Sequence, residues 1–331
     1  MLRCAPIMTK RRLAFLVLIA LSFFASPTAA ETLKAGYVSR DLNYLPFFIA
    51  RNKGFYAREG IEVDLVAIGR ADLQVQALVT GDLHFALINP DGIIVLDEKG
   101  ANLKVAAGSS NAAPYVLVGG KSYKKIEDLK GARLGVASLK GGATSILLSY
   151  LKSKGLVYPR DFNLAVIAGG TPARLSALES GAVAGAVLGV PFADIAIDRG
   201  FNRLGDTTEV IAKYQFNAVT LNPAWAEKNR AAVVKFLKAH IQSLRWIYER
   251  PAEAADFLTK EFGLKPPYAE KGIAYYTKNR VYPIDGAVTL EGLKVNVEVQ
   301  VEDGLVKQPA PPAEKYADLS YLRQAQKELG M

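Results

Sequence analysis

From Leu33 onward the chain alternates short apolar runs with amphipathic stretches. The runs LKAGYV, IEVDLVAI, HFALI, LKVAAG, YVLVGG, ARLGVAS, NLAVIA and VAGAVLG begin at residues 33, 61, 84, 103, 115, 132, 163 and 183. Each has the length and β-branched content of a strand, and most lead into a segment of helical period. This βαβα order predicts an α/β fold with mostly parallel sheet flanked by helices. Helix starts are expected at Tyr44-Leu45-Pro46, after Ser138 ahead of Gly141-Gly142, and at Asn222-Pro223, where capping side chains and prolines favour a first turn. Beyond residue 222 helices dominate, and 229–249 carries Val233, Phe236, Leu237, Ile241, Leu244 and Tyr248 on one face. The proline-rich run VKQPAPPAEK at 306–315 predicts an extended surface segment before a last short helix. No period of 20–50 residues recurs, which argues against a solenoid.

The N-terminus follows a different pattern. Lys10-Arg11-Arg12 precedes a thirteen-residue apolar run at 13–25, interrupted only by Ser22, and the small-residue stretch Ser26-Pro27-Thr28-Ala29-Ala30. That order predicts a signal peptide over 1–30, cut between Ala30 and Glu31, and hence export to the periplasm by general secretion. Thirteen helical residues reach only about 20 Å, short of the ~30 Å of a bilayer core, so a membrane anchor is disfavoured.

Composition narrows the function classes. With 331 residues, 50% hydrophobic and 22% charged, the chain can bury a sizeable core and form two domains or one large α/β unit. Four of its 41 bases (Arg3, Lys10, Arg11 and Arg12) lie in the expected signal, which leaves 37 bases, 32 acids and a net charge of +5. These charges are scattered, so no basic stripe points to nucleic acid. The sole cysteine, Cys4, would leave with the signal and precedes the apolar run. A mature disulfide, thiol nucleophile, cysteine-held metal or lipid anchor is therefore not expected.

Templates for catalysis fail one by one. Gly119-Gly120-Lys121-Ser122 looks like a phosphate loop, but its first glycine would fall at Tyr115. G-x-G-x-x-G after the first strand, G-x-S-x-G and H-E-x-x-H are all missing, and His84 and His240 both read as structural. The strand ends instead carry polar loops leading into helices: Ser39–Tyr44, Gly69–Asp72, Asn89–Asp91 and Ser138–Thr144. Ligands bind at such positions in open α/β sheets. Lys140-Gly141-Gly142-Ala143-Thr144 combines glycine with a helix start, which suits an anion, and Ser138 and Thr144 add hydroxyls. Arg40, Arg70 and Lys140 each follow a predicted strand and would surround one cleft. Asn43, Tyr44, Asn89, Ser110, Asn111, Gly189, Phe192 and Tyr214 complete the expected contacts, and Tyr44, Phe192, Tyr214 and Phe216 offer flat walls.

Five stretches carry a family resemblance in their order and spacing: PFFIARNKGFYAREGIEVDLV at 46–66, ALVTGDLHFALI at 77–88, IEDLKGARLGVAS at 126–138, LSALESGAVAGAVLGVPFA at 175–193, and NRAAVVKFLKAHIQSLRWIYERPAEAADFL at 229–258. Over residues 33–265 the chain resembles periplasmic solute-binding proteins of the nitrate/sulfonate/taurine/bicarbonate type, whose family also includes thiamine-pyrimidine precursor binders. The resemblance implies a type II periplasmic binding protein: domain one from 31–116 and 219–331, domain two from 117–218, and crossovers near 115–119 and 216–220. It also implies a cleft that closes on a ligand by hinge motion, an ABC transporter permease as partner, no cofactor, and a monomer. Many relatives carry an acid near Ala184-Gly185 and a larger residue before the proline, where this chain has Gly189-Val190. That departure predicts a roomier pocket and an organic anion, a sulfonate or carboxylate, held on Gly141–Thr144 with help from Arg40 or Arg70. A pyrimidine precursor, nitrate or bicarbonate is the alternative cargo. A pyrimidine-synthesising enzyme and a sensor domain are the alternative roles, the enzyme disfavoured because its relatives depend on cysteines.

Overall fold

A computed structural model describes Met1 and residues 32–139, 141–211 and 213–331. The expected signal peptide with Cys4, together with Lys140, lies outside the described residues. Among the described residues ten strands form, the first eight where the apolar runs were read: β1 (Leu33–Tyr37), β2 (Val63–Ala67), β3 (Phe85–Ile88), β4 (Lys104–Ser110), β5 (Tyr115–Gly119), β6 (Arg133–Val136), β7 (Asn163–Val166), β8 (Gly185–Gly189), β9 (Asn202–Asp206) and β10 (Asn217–Leu221). They make two five-stranded sheets, in the orders β2-β1-β3-β10-β4 and β7-β6-β8-β5-β9. In the first sheet β1 runs parallel to β2 and β3, while β10 is antiparallel to β3 and β4. The second repeats this plan, with β6 parallel to β7 and β8 and with β5 antiparallel to β8 and β9. Each sheet thus takes one antiparallel strand, β10 or β5, from beside a passage between the sheets.

Those passages run through 111–114 and 207–216. The runs 115–119 and 216–220, expected as crossovers, are β5 and essentially β10, each lying within one sheet. β9 was not expected: its sequence NRLGD lacks apolar alternation, and it forms as an edge strand whose partner β5 supplies the order.

The helix Arg230–Glu249 buries Val233, Phe236, Leu237, Ile241 and Leu244. Phe236 stacks on Phe85 of β3 at 3.8 Å between ring centroids and meets Phe47 edge-on at 5.4 Å, which seats this helix against the first sheet. Each such side chain contributes about 1.5–3 kcal/mol by burial. The second sheet has its own core around Leu134, Leu147, Tyr150 and Val187. Beyond the family stretches, the C-terminal segment supplies the helices Pro266–Lys278, Leu290–Glu302 and Ser320–Glu328. Leu293 and Val297 of the middle one pack on Ile93 and Ile94, so this tail completes the core of the first sheet.

Parallel strands of both sheets direct their C-terminal ends at a common region. The loops after β1, β2 and β3 meet those after β6 and β7 there, with β10 and the second passage alongside.

Candidate functional site

The loops enclose a cleft of about 60 Å³, or about two water volumes at ~30 Å³ each. One wall comes from the first sheet. Asp41 ends the loop after β1 and accepts hydrogen bonds from Ser39 Oγ (2.8 Å) and Asn43 N (2.9 Å), which caps the short turn Leu42–Tyr44. Asn43 Oδ1 in turn accepts from the Tyr276 hydroxyl at 2.9 Å. Asn89, after β3, caps the helix Pro90–Asp97 through Oδ1 (2.8 Å to Asp91 N) and donates through Nδ2 to Phe216 O at 2.7 Å. Its side chain lies so close to Gly142 that a Cβ there would fall 2.3 Å from Nδ2.

The facing wall comes from the second sheet. The helix Gly142–Ser153 starts at the cleft, and the N–H groups of Gly142 and Ala143 make no hydrogen bond among the described residues. Neither expected side-chain cap forms at Tyr44 or here: Ser138 instead lends its carbonyl to Thr144 Oγ1 at 2.6 Å. Asn222 does cap its helix, with Ala224 N at 3.0 Å. A second helix, Gly170–Glu179, also begins at the cleft. Gly169 and Gly170 hold φ of +101° and +73°, a region that favours glycine. Gly169 N–H donates to Gly69 O across the cleft at 3.0 Å, and a Cβ on Gly170 would strike Ser39 Oγ at 2.1 Å.

One turn into that helix stands Arg174, 1% exposed and lining the cleft. Its Nε donates to Val187 O (2.9 Å) and its Nη2 to Thr171 Oγ1 (3.2 Å), while the guanidinium sits 5.9 Å from the Tyr115 ring centroid. Among the described residues it has no ion pair. A guanidinium has five N–H donors, so donor capacity remains, and a buried cation without a counterion is costly. Asp41 is also buried. Burial pushes its carboxyl above the ordinary range, against the bonds from Ser39 and Asn43 and the charge of Arg174. Asn217, on β10, lines the cleft, with its buried Nδ2 near the Tyr44 hydroxyl. The cleft thus offers a guanidinium, an amide and two helix starts to an anion.

Eight expected contacts come together here: Asn43, Tyr44, Asn89, Ser138, Gly141, Gly142, Ala143 and Thr144. The others lie elsewhere, and Lys140 is outside the described residues. Arg40 is exposed and points its Nη1 at Glu261 O (3.4 Å), and Arg70 is spent on Asp72 at 3.1 and 2.5 Å. Ser110 is buried in β4, and Asn111 in the first passage donates to Ala287 O at 3.0 Å. Phe192 packs in the core, and Tyr214 donates to Asp91 Oδ2 at 2.5 Å, away from the cleft. The room expected from Gly189 is taken by Tyr115, whose ring carbon lies 3.4 Å from where a Cβ would stand. Tyr115, Thr171, Arg174 and Asn217 line the cleft without having been expected, and Ser39 and Asp41 line it from within the expected loop Ser39–Tyr44 without having been singled out. For Arg174 a signal existed: it shares a helical face with Thr171 and the buried Leu178, an odd place for a solvated charge.

Both histidines have structural settings. His84 Nδ1 accepts from Lys34 N at 2.9 Å and its ring packs on Trp225, while His240 is buried with Nε2 3.1 Å from Gly108 O.

Comparison with known proteins bears on this arrangement. YtlA of Bacillus subtilis (strain 168), whose name provisionally assigns it a binding role, is 24% identical over 270 residues, 76% of this chain and 77% of its own. The periplasmic nitrate-binding protein NrtA from Synechocystis PCC 6803 superposes with a TM-score of 0.75 at 16% identity, covering 91% of this chain and 89% of that one. The alkanesulfonate-binding protein SsuA from Xanthomonas axonopodis pv. citri, bound to MOPS, gives 0.70 at 18% identity, covering 86% and 97%. The fold is therefore that of the periplasmic binding proteins. The profile of the NMT1/THI5-like family matches residues 41–254, well over half of the sequence, and the chain belongs to that family.

Proposed function

We propose that this protein is the exported substrate-binding component of an ABC importer and captures a small organic anion, a sulfonate or carboxylate, in the cleft between its two sheets. The observation that carries the reading is Arg174, a buried guanidinium with no ion pair among the described residues, lining the same cleft as Gly142 and Ala143, whose N–H groups make no hydrogen bond among the described residues. An anion there satisfies all three at once. The elements around each sheet act as two lobes that hinge at 111–114 and 207–216, close over the ligand, and present the closed face to a permease. The protein works in the periplasm as a monomer, and its task is binding and not turnover. The names of NrtA and SsuA, which bind nitrate and an alkanesulfonate, agree with an anion as cargo.

The cleft's 60 Å³ also suits a small inorganic anion, which is the second reading. Thermal denaturation of the chain from Glu31, refolded to strip carried-over solute, separates the two. Bound ligand must raise the midpoint. The proposal expects a concentration-dependent rise with an organic sulfonate or carboxylate that exceeds the rise with nitrate or bicarbonate. The reverse order selects the inorganic anion, and no rise with any anion refutes an anion-binding cleft.

A further inference from the structure

Next to the cleft lies a larger chamber of about 190 Å³. The two share Ala71, Asn89, Gly141 and Thr144 as lining, so the Asn89 side chain packed on Gly142 stands between them as a partition. Both sheets contribute walls: Val75, Val95 and Leu96 from the first, Leu139 and Leu148 from the second, and Leu305 from the C-terminal segment. Leu139 and Leu305, 56% and 40% exposed, are large apolar side chains left open to solvent.

Charge separates the two spaces. Asp72, Asp91 and Asp303 line the chamber, and Lys99 is its only cation among the described residues. Asp72 pairs with Arg70, and Asp91 accepts from the Tyr214 hydroxyl and from Asn296 Nδ2 at 2.7 Å. A second anionic group would meet carboxylates, whereas an uncharged apolar group would meet leucine and valine. One polar atom there is unspent. Gln300, 3% exposed, belongs to the lining, and its buried Nε2 has no partner among the described residues.

We infer that the ligand has two parts, an anionic head in the Arg174 cleft and an uncharged, mainly apolar arm that passes Asn89 into this chamber. This rests on the anion-binding reading of the cleft and adds the shape of the ligand to it. The cleft's 60 Å³ holds a head and little more. The chamber offers about six water volumes at ~30 Å³ each, which matches an arm of about six carbons.

The test is isothermal titration of the refolded chain with straight-chain alkanesulfonates and alkanoates of one to eight carbons. With the arm buried, each added methylene lowers Kd about fourfold until the chamber fills near six carbons. Leu148→Trp and Leu96→Phe, on walls from different sheets, each fill the space. In at least one of them the ratio of one-carbon to six-carbon Kd falls tenfold or more, and two positions guard against one variant failing to fold. A wild-type Kd that stays flat along the series overturns the arm and leaves the anionic head standing. So does an unaltered ratio in both folded variants. If no member of either series binds, the reading of the cleft falls and the arm with it.

Discussion

Replacing Arg174 with Met separates binding from folding. The side chain is 1% exposed, and its known bonds are Nε to Val187 O at 2.9 Å and Nη2 to Thr171 Oγ1 at 3.2 Å. Losing these two bonds costs about 1 kcal/mol each, and leaving Val187 O unpaired adds about 1–3 kcal/mol. Against this, the variant no longer buries an unpaired cation, a penalty of several kcal/mol, and gains apolar packing. The opposing contributions are of similar size. The midpoint of the ligand-free variant is therefore expected within about 6 °C of wild type, at ~2–4 °C per kcal/mol. Binding has no such compensation. Each hydrogen bond from guanidinium to an anion contributes about 1.5–3 kcal/mol, so losing even one lowers affinity about tenfold to a hundredfold. Arg174→Lys keeps the charge without the planar fork and is expected between the two. Titration calorimetry with the tightest anion from the thermal screen, paired with melts of the ligand-free proteins, gives both numbers. An Arg174→Met affinity within threefold of wild type refutes the assignment. A midpoint loss above 12 °C makes Arg174 a structural residue instead.

His240 is held neutral, its pKa lowered by burial to about 4 against the bond to Gly108 O, whereas in the unfolded chain it titrates near 6.5. The unfolded state binds more protons between those values, so stability is complete above about pH 6.5 and falls by up to about 3 kcal/mol as the pH drops towards 4. In urea unfolding from pH 7.5 to 4.5, His240→Gln flattens this decline, and an unaltered slope refutes it. Gly142→Ala puts a Cβ 2.3 Å from Asn89 Nδ2. It is expected to push the Asn89 side chain off Phe216 O and cut anion affinity at least tenfold by calorimetry, and wild-type affinity contradicts that close approach. Arg40→Ala and Arg70→Ala remove cations directed away from the cleft. Each is expected to leave anion affinity within about twofold, and a larger loss relocates the site.

The fold was readable because its signal is redundant. Eight apolar runs and a proline or glycine near many element ends each report the α/β plan, so an error in one leaves the others intact. β9 escaped because its order comes from β5 and not from its own side chains. The lining of the candidate cleft was readable in part, for a related reason. Rules about strand ends locate a loop, and Asn43, Asn89 and Gly141 to Thr144 act largely through backbone or short side chains, which stay where the loop puts them. A long side chain is free of that constraint. Arg40 and Arg70 follow their strands as expected, yet Arg40 reaches Glu261 O and Arg70 reaches Asp72. Arg174 begins a turn deep in a helix, where no strand-end rule looks, and arrives in the cleft because Gly169 and Gly170 bring that helix close to Ser39 and Gly69.

That same close approach connects recognition to closure. At the cleft the loops are joined, among the described residues, by one backbone bond, Gly169 N–H to Gly69 O, while further out Lys271 pairs with Asp194 and the Tyr268 hydroxyl donates to Asp198 Oδ2 at 2.7 Å. Such a bond is worth about 1 kcal/mol net. Drawing Arg174 and Asp41 out of water opposes it by several kcal/mol per ion, offset in part by their mutual attraction. With nothing between them, separation of the cleft loops of the proposed binding protein would rehydrate both charges. An anion favours closure by taking donors from Arg174 and from the Gly142 and Ala143 amides. Moving an equilibrium from 1:99 to 99:1 needs about 5.5 kcal/mol, which two or three charge-assisted hydrogen bonds at about 1.5–3 kcal/mol each supply. On the proposed reading, the group that holds the anion is also one that resists closure without it. Arg174→Met should accordingly weaken the anion's hold on the closed form and, at the same time, lower the cost of closing without it.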